Sequence, residues 1–193
     1  YNNLASGNCS AVVGGNFNTG SGAFSFIGAG CCNLVTTGMS VVGGGRGNTV
    51  CGACSVIGGG YINTVSSAYT FIGGGQLNTA CNTGATIAGG TSNVATNVFS
   101  TIGGGYSNTA NGLCSTIAGG STNCICLAGT GSFIGGGQGN GVSAVRATIG
   151  GGQGHTASGG YSFIGGGYAN IASTNGSTVA GGVLSCATGN RAT

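Results

Sequence analysis

Most of the side-chain chemistry available to this chain sits in ten cysteines, one histidine and three arginines, because its 193 residues include no Asp, Glu or Lys. Cys51 and Cys54 form a Cys-x-x-Cys, Cys31 and Cys32 are adjacent, and Cys124 and Cys126 flank Ile125. Thiols at such spacings can bind soft metals or form disulfides. A zinc site, however, usually draws on two such pairs, and only one is present, so zinc is weakly indicated. His155 is the sole imidazole. Without a carboxylate there is no acid–base pair, no triad acid and no calcium-binding loop, and without Lys there is no P-loop lysine. Three scattered arginines (Arg46, Arg146 and Arg191) cannot neutralise a nucleic-acid backbone, and no apolar run reaches membrane-spanning length. Nothing here reads as an enzyme, and no metal or cofactor is expected.

These residues are set into a repeat. A unit of Ser, a variable residue, Ile or Val, then Gly and Ala recurs every fifteen residues, starting at positions 10, 25, 40, 55, 70, 85, 100 and 115 and, after a two-residue slip, at 132, 147, 162 and 177. Eight residues after each start stands an Asn: Asn18, Asn33, Asn48, Asn63, Asn78, Asn93, Asn108, Asn123, Asn140 and Asn170, with His155 and Ser185 in the two remaining units. A period held over twelve units implies supersecondary units stacked in a line, one repeat domain over residues 1–193. Gly makes up 48 of the residues, but it does not fall at every third position and there is no Pro, so collagen is excluded.

Counting each unit from its Ser as position 0, position 2 is always Ile or Val and position 10 is Val, Ile, Ala or Gly. Positions 0, 2, 8 and 10 thus share one parity within two short segments, which is the alternation of strands. The spacing predicts an all-β parallel β-solenoid, a flattened β-roll of fifteen residues per coil, about twelve coils and two short strands per coil, without terminal caps. Positions 0, 2, 8 and 10 would point inward, and the Asn row would form an amide ladder in which each side chain bonds its equivalent in the next coil. His155 reads as a ladder member rather than a base, and Gly tracts such as Gly58-Gly59-Gly60 as turns rather than a phosphate cradle. Tyr1 falls at position 6, and Ala192 and Thr193 at positions 0 and 1 of a further unit. The expectation is a processed product, a window of a longer chain, or subunits stacking end to end.

The outward rows carry the surface. Position 9 holds Thr19, Thr49, Thr64, Thr79, Thr109 and Thr156, interrupted by residues such as Leu34 and Val94. Position 1 holds Phe26, Phe71, Phe133 and Phe163 beside a Gly or Ala track at position 3, which suits lateral packing of one solenoid on another. Position 14 is a further apolar row at a coil corner, with Phe24, Met39, Tyr69, Phe99 and Tyr161. In an extracellular rod, disulfides would be expected, with Cys114–Cys126 on adjacent coils and the local Cys51–Cys54 as candidates. Asn8-Cys9-Ser10 and Asn175-Gly176-Ser177 match the glycan-attachment sequon.

Units such as Ser100–Ala110 (Ser-Thr-Ile-Gly-Gly-Gly-Tyr-Ser-Asn-Thr-Ala) resemble the Gly-rich repeats of trimeric autotransporter adhesin heads and of phage-type tail fibres. The resemblance covers the whole chain at the level of the repeat, although this chain has a fifteen-residue period and Ser, not an aliphatic residue, at position 0. It implies a left-handed β-roll that associates as a trimer. Asn48-Thr49-Val50-Cys51-Gly52 and Asn108-Thr109-Ala110-Asn111-Gly112 are similar to the half-repeats of grass ice-binding proteins, which implies ice binding through the outward Thr row. The leading expectation is a self-assembling structural subunit of an extracellular filament, surface fibre or adhesin shaft on a cell or virion. The alternative is an ice-binding protein.

Overall fold

Every unit sets an Ile or Val at position 2 and a Val, Ile, Ala or Gly at position 10, and the segments around both become strands. The computed structural model describes residues 2–192; Tyr1 and Thr193, which the repeat numbering puts at positions 6 and 1, lie outside the described residues. The first strands in chain order are β1 (Leu4–Ala5), β2 (Ala11–Val12), β3 (Thr19–Gly20) and β4 (Phe26–Ile27), and the alternation runs on to β24 (Thr178–Val179) and β25 (Cys186–Ala187). Odd-numbered strands build a 13-stranded sheet from positions 9 and 10, and even-numbered strands a 12-stranded sheet from positions 1 and 2. Every pairing is parallel, and repeat position meets repeat position in the next coil, as in Phe71↔Thr86 and Ile72↔Ile87. The expected β-solenoid is therefore the observed architecture. The described residues contain no helix, so none is long and apolar enough to cross a membrane.

The core is one residue thick from each sheet. Ile27, Ile57, Ile72, Ile87, Ile102 and Ile117 of one sheet face Val35, Val50, Val65, Ala80, Ala95 and Ala110 of the other, all fully buried. Each buried Ile contributes about 1.5–3 kcal/mol. No position 10 residue is larger than Ile125, which keeps the two sheets close.

A third line of pairing runs along position 6, which the alternation in the sequence does not signal. Isolated parallel bridges link Asn16, Cys31, Arg46, Tyr61, Gln76 and Thr91, and continue through Tyr106 to Val183. The chain turns into and out of this line through left-handed residues at positions 5 and 7, and turns again at position 14. Position 5 is Gly in all twelve units. At Gly45 (φ 88°) an added Cβ would lie 2.1 Å from the Gly60 oxygen and 2.8 Å from Nδ2 of Asn48, so both the backbone and the space require glycine. Positions 7 and 14 instead hold residues as large as Phe17, Ile62, Phe24 and Phe99 with φ between 52° and 57°. Such a conformation costs about 1–2 kcal/mol per residue. It persists where the residue donates to the coil before it, as Phe24 N–H does to Asn8 O (2.8 Å), Ile62 N–H to Arg46 O (2.9 Å) and Phe99 N–H to Thr83 O (3.0 Å).

The two extra residues of the unit that starts at Ser115 are absorbed outside the core. Asn140 N–H still reaches Oδ1 of Asn123 at 3.0 Å across a separation of 17, and Cys124↔Gly141 and Ile125↔Val142 keep register. The surplus is taken up after Ile125, where Gly129 N–H closes a turn on Cys126 O (2.8 Å).

Candidate functional site

With no cluster of three or more metal-ligating side chains among the described residues, the rows themselves are the site: an inner amide ladder, outward apolar rows and the thiols.

The ladder does more than join one amide to the next. Asn48 shows the pattern. Its N–H donates to Oδ1 of Asn33 (3.0 Å), and its Nδ2 donates to the same Oδ1 (3.1 Å), to Gly44 O (3.0 Å) and to Gly60 O (3.0 Å). One side chain therefore takes up the peptide N–H of the following coil and ties together the turn carbonyls of its own coil and the next. Asn18, Asn33, Asn63, Asn78, Asn93, Asn108, Asn123, Asn140 and Asn170 are buried in the same row. Asn3, at position 8 of the partial unit before Ser10, is the first described member of the row, accepting from Asn18 N–H and Nδ2 (both 3.1 Å).

His155 and Ser185 keep part of the pattern. His155 N–H donates to Oδ1 of Asn140 (3.0 Å), and Nδ1 of His155 accepts from Asn170 N–H (3.0 Å). Nδ1 is therefore the unprotonated nitrogen, and Nε2 carries the hydrogen, buried beside the backbone of Gly151 and Gly167 but without a well-aligned hydrogen bond. Burial holds the imidazole below its ordinary pKa. Ser185 has no amide to pass on; its N–H donates to Oδ1 of Asn170 (2.8 Å).

Outside, Phe26, Phe71, Phe133 and Phe163 lie on one sheet face, each roughly two-fifths exposed. Each ring lies over the Gly two residues on: an added Cβ at Gly28, Gly73, Gly135 or Gly165 would meet Cε1 of its own coil's Phe at 3.4–3.6 Å. The Gly track therefore first accommodates the ring of its own coil, and leaves a flat apolar tile facing outward. All four Phe units have Gly at position 3, and Ala stands there only in units without Phe, as at Ala88, Ala118 and Ala180; Gly103 and Gly150 also follow Thr. The position 14 corner is more exposed still, with Phe24 at 61%, Met39 at 62%, Tyr69 at 69% and Phe99 at 60%. Near its far end Arg146 donates to the Tyr161 hydroxyl (2.8 Å) and its guanidinium lies 5.6 Å from the ring centre.

In the Thr row, Thr49, Thr64 and Thr79 stand in direct register on successive coils. Thr19, Thr49, Thr64, Thr79 and Thr109 are half-buried and Thr156 is exposed. Asn8 and Asn175 are exposed, while Ser177 of the second sequon is buried.

All ten cysteines are free thiols. Cys51 and Cys54 are not joined, and neither are Cys114 and Cys126. The Cys126 sulfur instead lies 3.9 Å from that of Cys124, and burial together with Cys126 pushes the Cys124 thiol up to about 11. The adjacent Cys31 and Cys32 bring their sulfurs to 2.9 Å.

Comparison with models of known protein families found no match, and comparison with curated proteins found none either. The rows of the solenoid are therefore what speaks for its function.

Two features of the coil have little or no signature in the sequence: the position 6 line and the left-handed corners. The first has no apolar period to betray it, since its residues range from Arg46 to Tyr61 and Gln76. The second has a signal at position 5, where Gly recurs in every unit, but none at position 14, whose Phe, Met, Tyr and Cys residues are poor formers of that conformation.

Proposed function

We propose that this chain is a non-enzymatic structural subunit of an extracellular filament or surface fibre, assembled by lateral and end-to-end packing of β-solenoids. The observation that carries the reading is the set of apolar rows held in register on the outside: the flat Phe tiles of one face and the exposed Phe24, Met39, Tyr69 and Phe99 corner. A chain that needed only solubility would place charges along these rows; this one has three charged residues in 193, of which only Arg146 and Arg191 fall in the corner row. Exposed apolar groups of this kind mark association. Coils stacked at a rise of about 4.8 Å set the Phe tiles at intervals along one face, with Val and Thr coils between them, which suits side-by-side copies. A coil arriving in the same register would also continue the three hydrogen-bonded lines.

Negative-stain microscopy and sedimentation test this together. The wild-type chain should form filaments, and Phe71→Arg with Phe133→Arg should disperse their lateral bundles, because both residues point outward and the variant keeps its core. Wild-type monomers across the whole concentration range would sink the proposal.

The register of Thr49, Thr64 and Thr79 supports a second reading, ice binding by the opposite sheet. Thermal hysteresis from a monomeric sample, lost on Thr64→Tyr, would favour it over the fibre.

A further inference from the structure

We propose that Cys31 and Cys32 form a chelating dithiol site for hydroxylated trivalent arsenic. In an extended strand, neighbouring side chains point to opposite faces. Cys32 instead has φ 60°, in the left-handed region, and its sulfur meets that of Cys31 at 2.9 Å. The backbone holds this geometry from both sides: Cys31 N–H donates to Gly45 O (2.9 Å), Cys32 N–H to Asn16 O (3.0 Å) and Gly47 N–H to Cys31 O (2.9 Å). The two donors are thus placed before any ligand arrives, which removes much of the ordering cost of chelation. Cys32 is exposed and Cys31 half-buried, so the pair opens to solvent.

The chemistry of the pair selects the ligand. Thiol sulfur prefers soft centres. Sulfurs almost in contact suit a pyramidal centre that takes two of them at an acute angle; a linear centre such as mercury(II) or copper(I) draws its two sulfurs to opposite sides. The hydrogen bond with Cys31 raises the Cys32 thiol above its ordinary pKa, with Arg46 pulling the other way as the smallest cause. Cys32 therefore favours its neutral thiol, so a ligand that carries its own proton acceptors suits the pair. An arsenous hydroxide is such a ligand. Two As–O bonds break and two As–S bonds form; each thiol proton leaves on a departing hydroxide as water, and arsenic stays trivalent with no electron transferred.

The probe is phenylarsine oxide, which is hydrated in water, read by intact-protein mass spectrometry through a wash with excess 2-mercaptoethanol. The wild-type chain should retain one phenylarsenic adduct. Cys31→Ser and Cys32→Ser should each lose retention by about a hundredfold or more, since a single thiol forfeits the chelate's effective concentration. Both substitutions have precedents in the chain: Ser121 occupies position 6, and Ser92 and Ser107 occupy position 7 in the same left-handed conformation. Cys51→Ser and Cys124→Ser should leave retention unchanged. An adduct that survives in Cys31→Ser or Cys32→Ser, or that disappears in Cys124→Ser, would overturn the proposal.

Discussion

Two polar rows run through the same thin core, and they are built differently. The Asn row at position 8 is nearly uniform, and its side chains satisfy backbone groups that have no other partner. The Ser row at position 0 is mixed: it holds Ser, Thr70, Ala85 and Ala147. Its peptide N–H groups have two routes to satisfaction. Ser55 and Thr70 donate to the hydroxyl of the previous coil's Ser40 and Ser55, whereas Ala85, Ser100 and Ser115 donate to a carbonyl three residues back in their own turn. The hydroxyls divide in the same way. Ser40 donates to Gly52 O of the next coil (2.8 Å), Ser100 to Asn97 O of its own (2.7 Å), and those of Ser10, Ser25 and Ser162 are buried with no partner. A row whose backbone can satisfy itself tolerates alanine; a row whose backbone depends on the side chain does not. Depth alone therefore does not decide which polar core positions the fold needs.

The sharpest way to break this contrast is Asn78→Leu. It strips the Asn93 N–H of its acceptor (3.0 Å) and removes the donor to Asn63 Oδ1, Gly74 O and Gly90 O. Each buried group left unpaired costs about 1–3 kcal/mol. A loss of about 3–5 kcal/mol is expected in urea unfolding, with the Asn93 amide losing protection from hydrogen exchange. A loss below ~1 kcal/mol would mean that the ladder is decorative.

His155→Asn works in the opposite direction. It restores the amide between Asn140 and Asn170 and replaces a poorly aligned Nε2–H with an Nδ2 that can reach both turn carbonyls as Asn170 does, so stability should rise by about 1 kcal/mol. It should also remove a pH dependence. In the fold His155 stays neutral, because burial disfavours the cation and Nδ1 accepts the Asn170 N–H (3.0 Å). Unfolded, the imidazole takes up a proton near its ordinary pKa of about 6.5. Unfolding thus binds a proton below that pH, so the contribution is fully present above about 6.5 and is lost as pH falls toward the lowered folded value. The chain has no Asp or Glu to add a slope of its own in that window. Chemical unfolding between pH 5 and pH 8 should slope for the wild type and stay flat for His155→Asn; two parallel curves would refute the assignment.

The same contrast explains which parts of the molecule are legible in its sequence. The inner rows are legible because burial narrows the residue type on nearly every coil: Ile or Val at position 2, Val, Ile, Ala or Gly at position 10, and Asn at position 8 in all units but those of His155 and Ser185. The β-solenoid and its inward faces follow from those alone. The details of the Asn row are not legible, since a repeated Asn predicts an amide ladder but not that Oδ1 takes the next peptide N–H, as Asn33 does for Asn48. The position 6 line stays hidden because backbone bridges, not side chains, define it. At the thiols the period is silent altogether. Cys31 and Cys32 meet only because the corner turns at Cys32, and Cys126 faces Cys124 in a coil that carries two extra residues.

The smallest effect is the most discriminating test of the Ser row. Ser40→Ala should cost about 1 kcal/mol, because Ser40 Oγ donates to Gly52 O (2.8 Å) and accepts the Ser55 N–H (3.3 Å). Part of that loss is recoverable, since the Ser55 N–H can turn to the carbonyl three residues back, as the Ser100 N–H does at 3.1 Å. Ser25→Ala should be neutral or slightly stabilising. Its Oγ is buried without a partner, its own N–H is already held by Gly22 O (3.2 Å), and Ala85 and Ala147 show that the site accepts a methyl group with full burial. Deleting an unsatisfied buried hydroxyl removes a desolvation cost and leaves a space too small for a water. Thermal melts of the two variants side by side decide the matter. If Ser25→Ala is as damaging as Ser40→Ala, the hydroxyl has a partner and the two polar rows follow one rule.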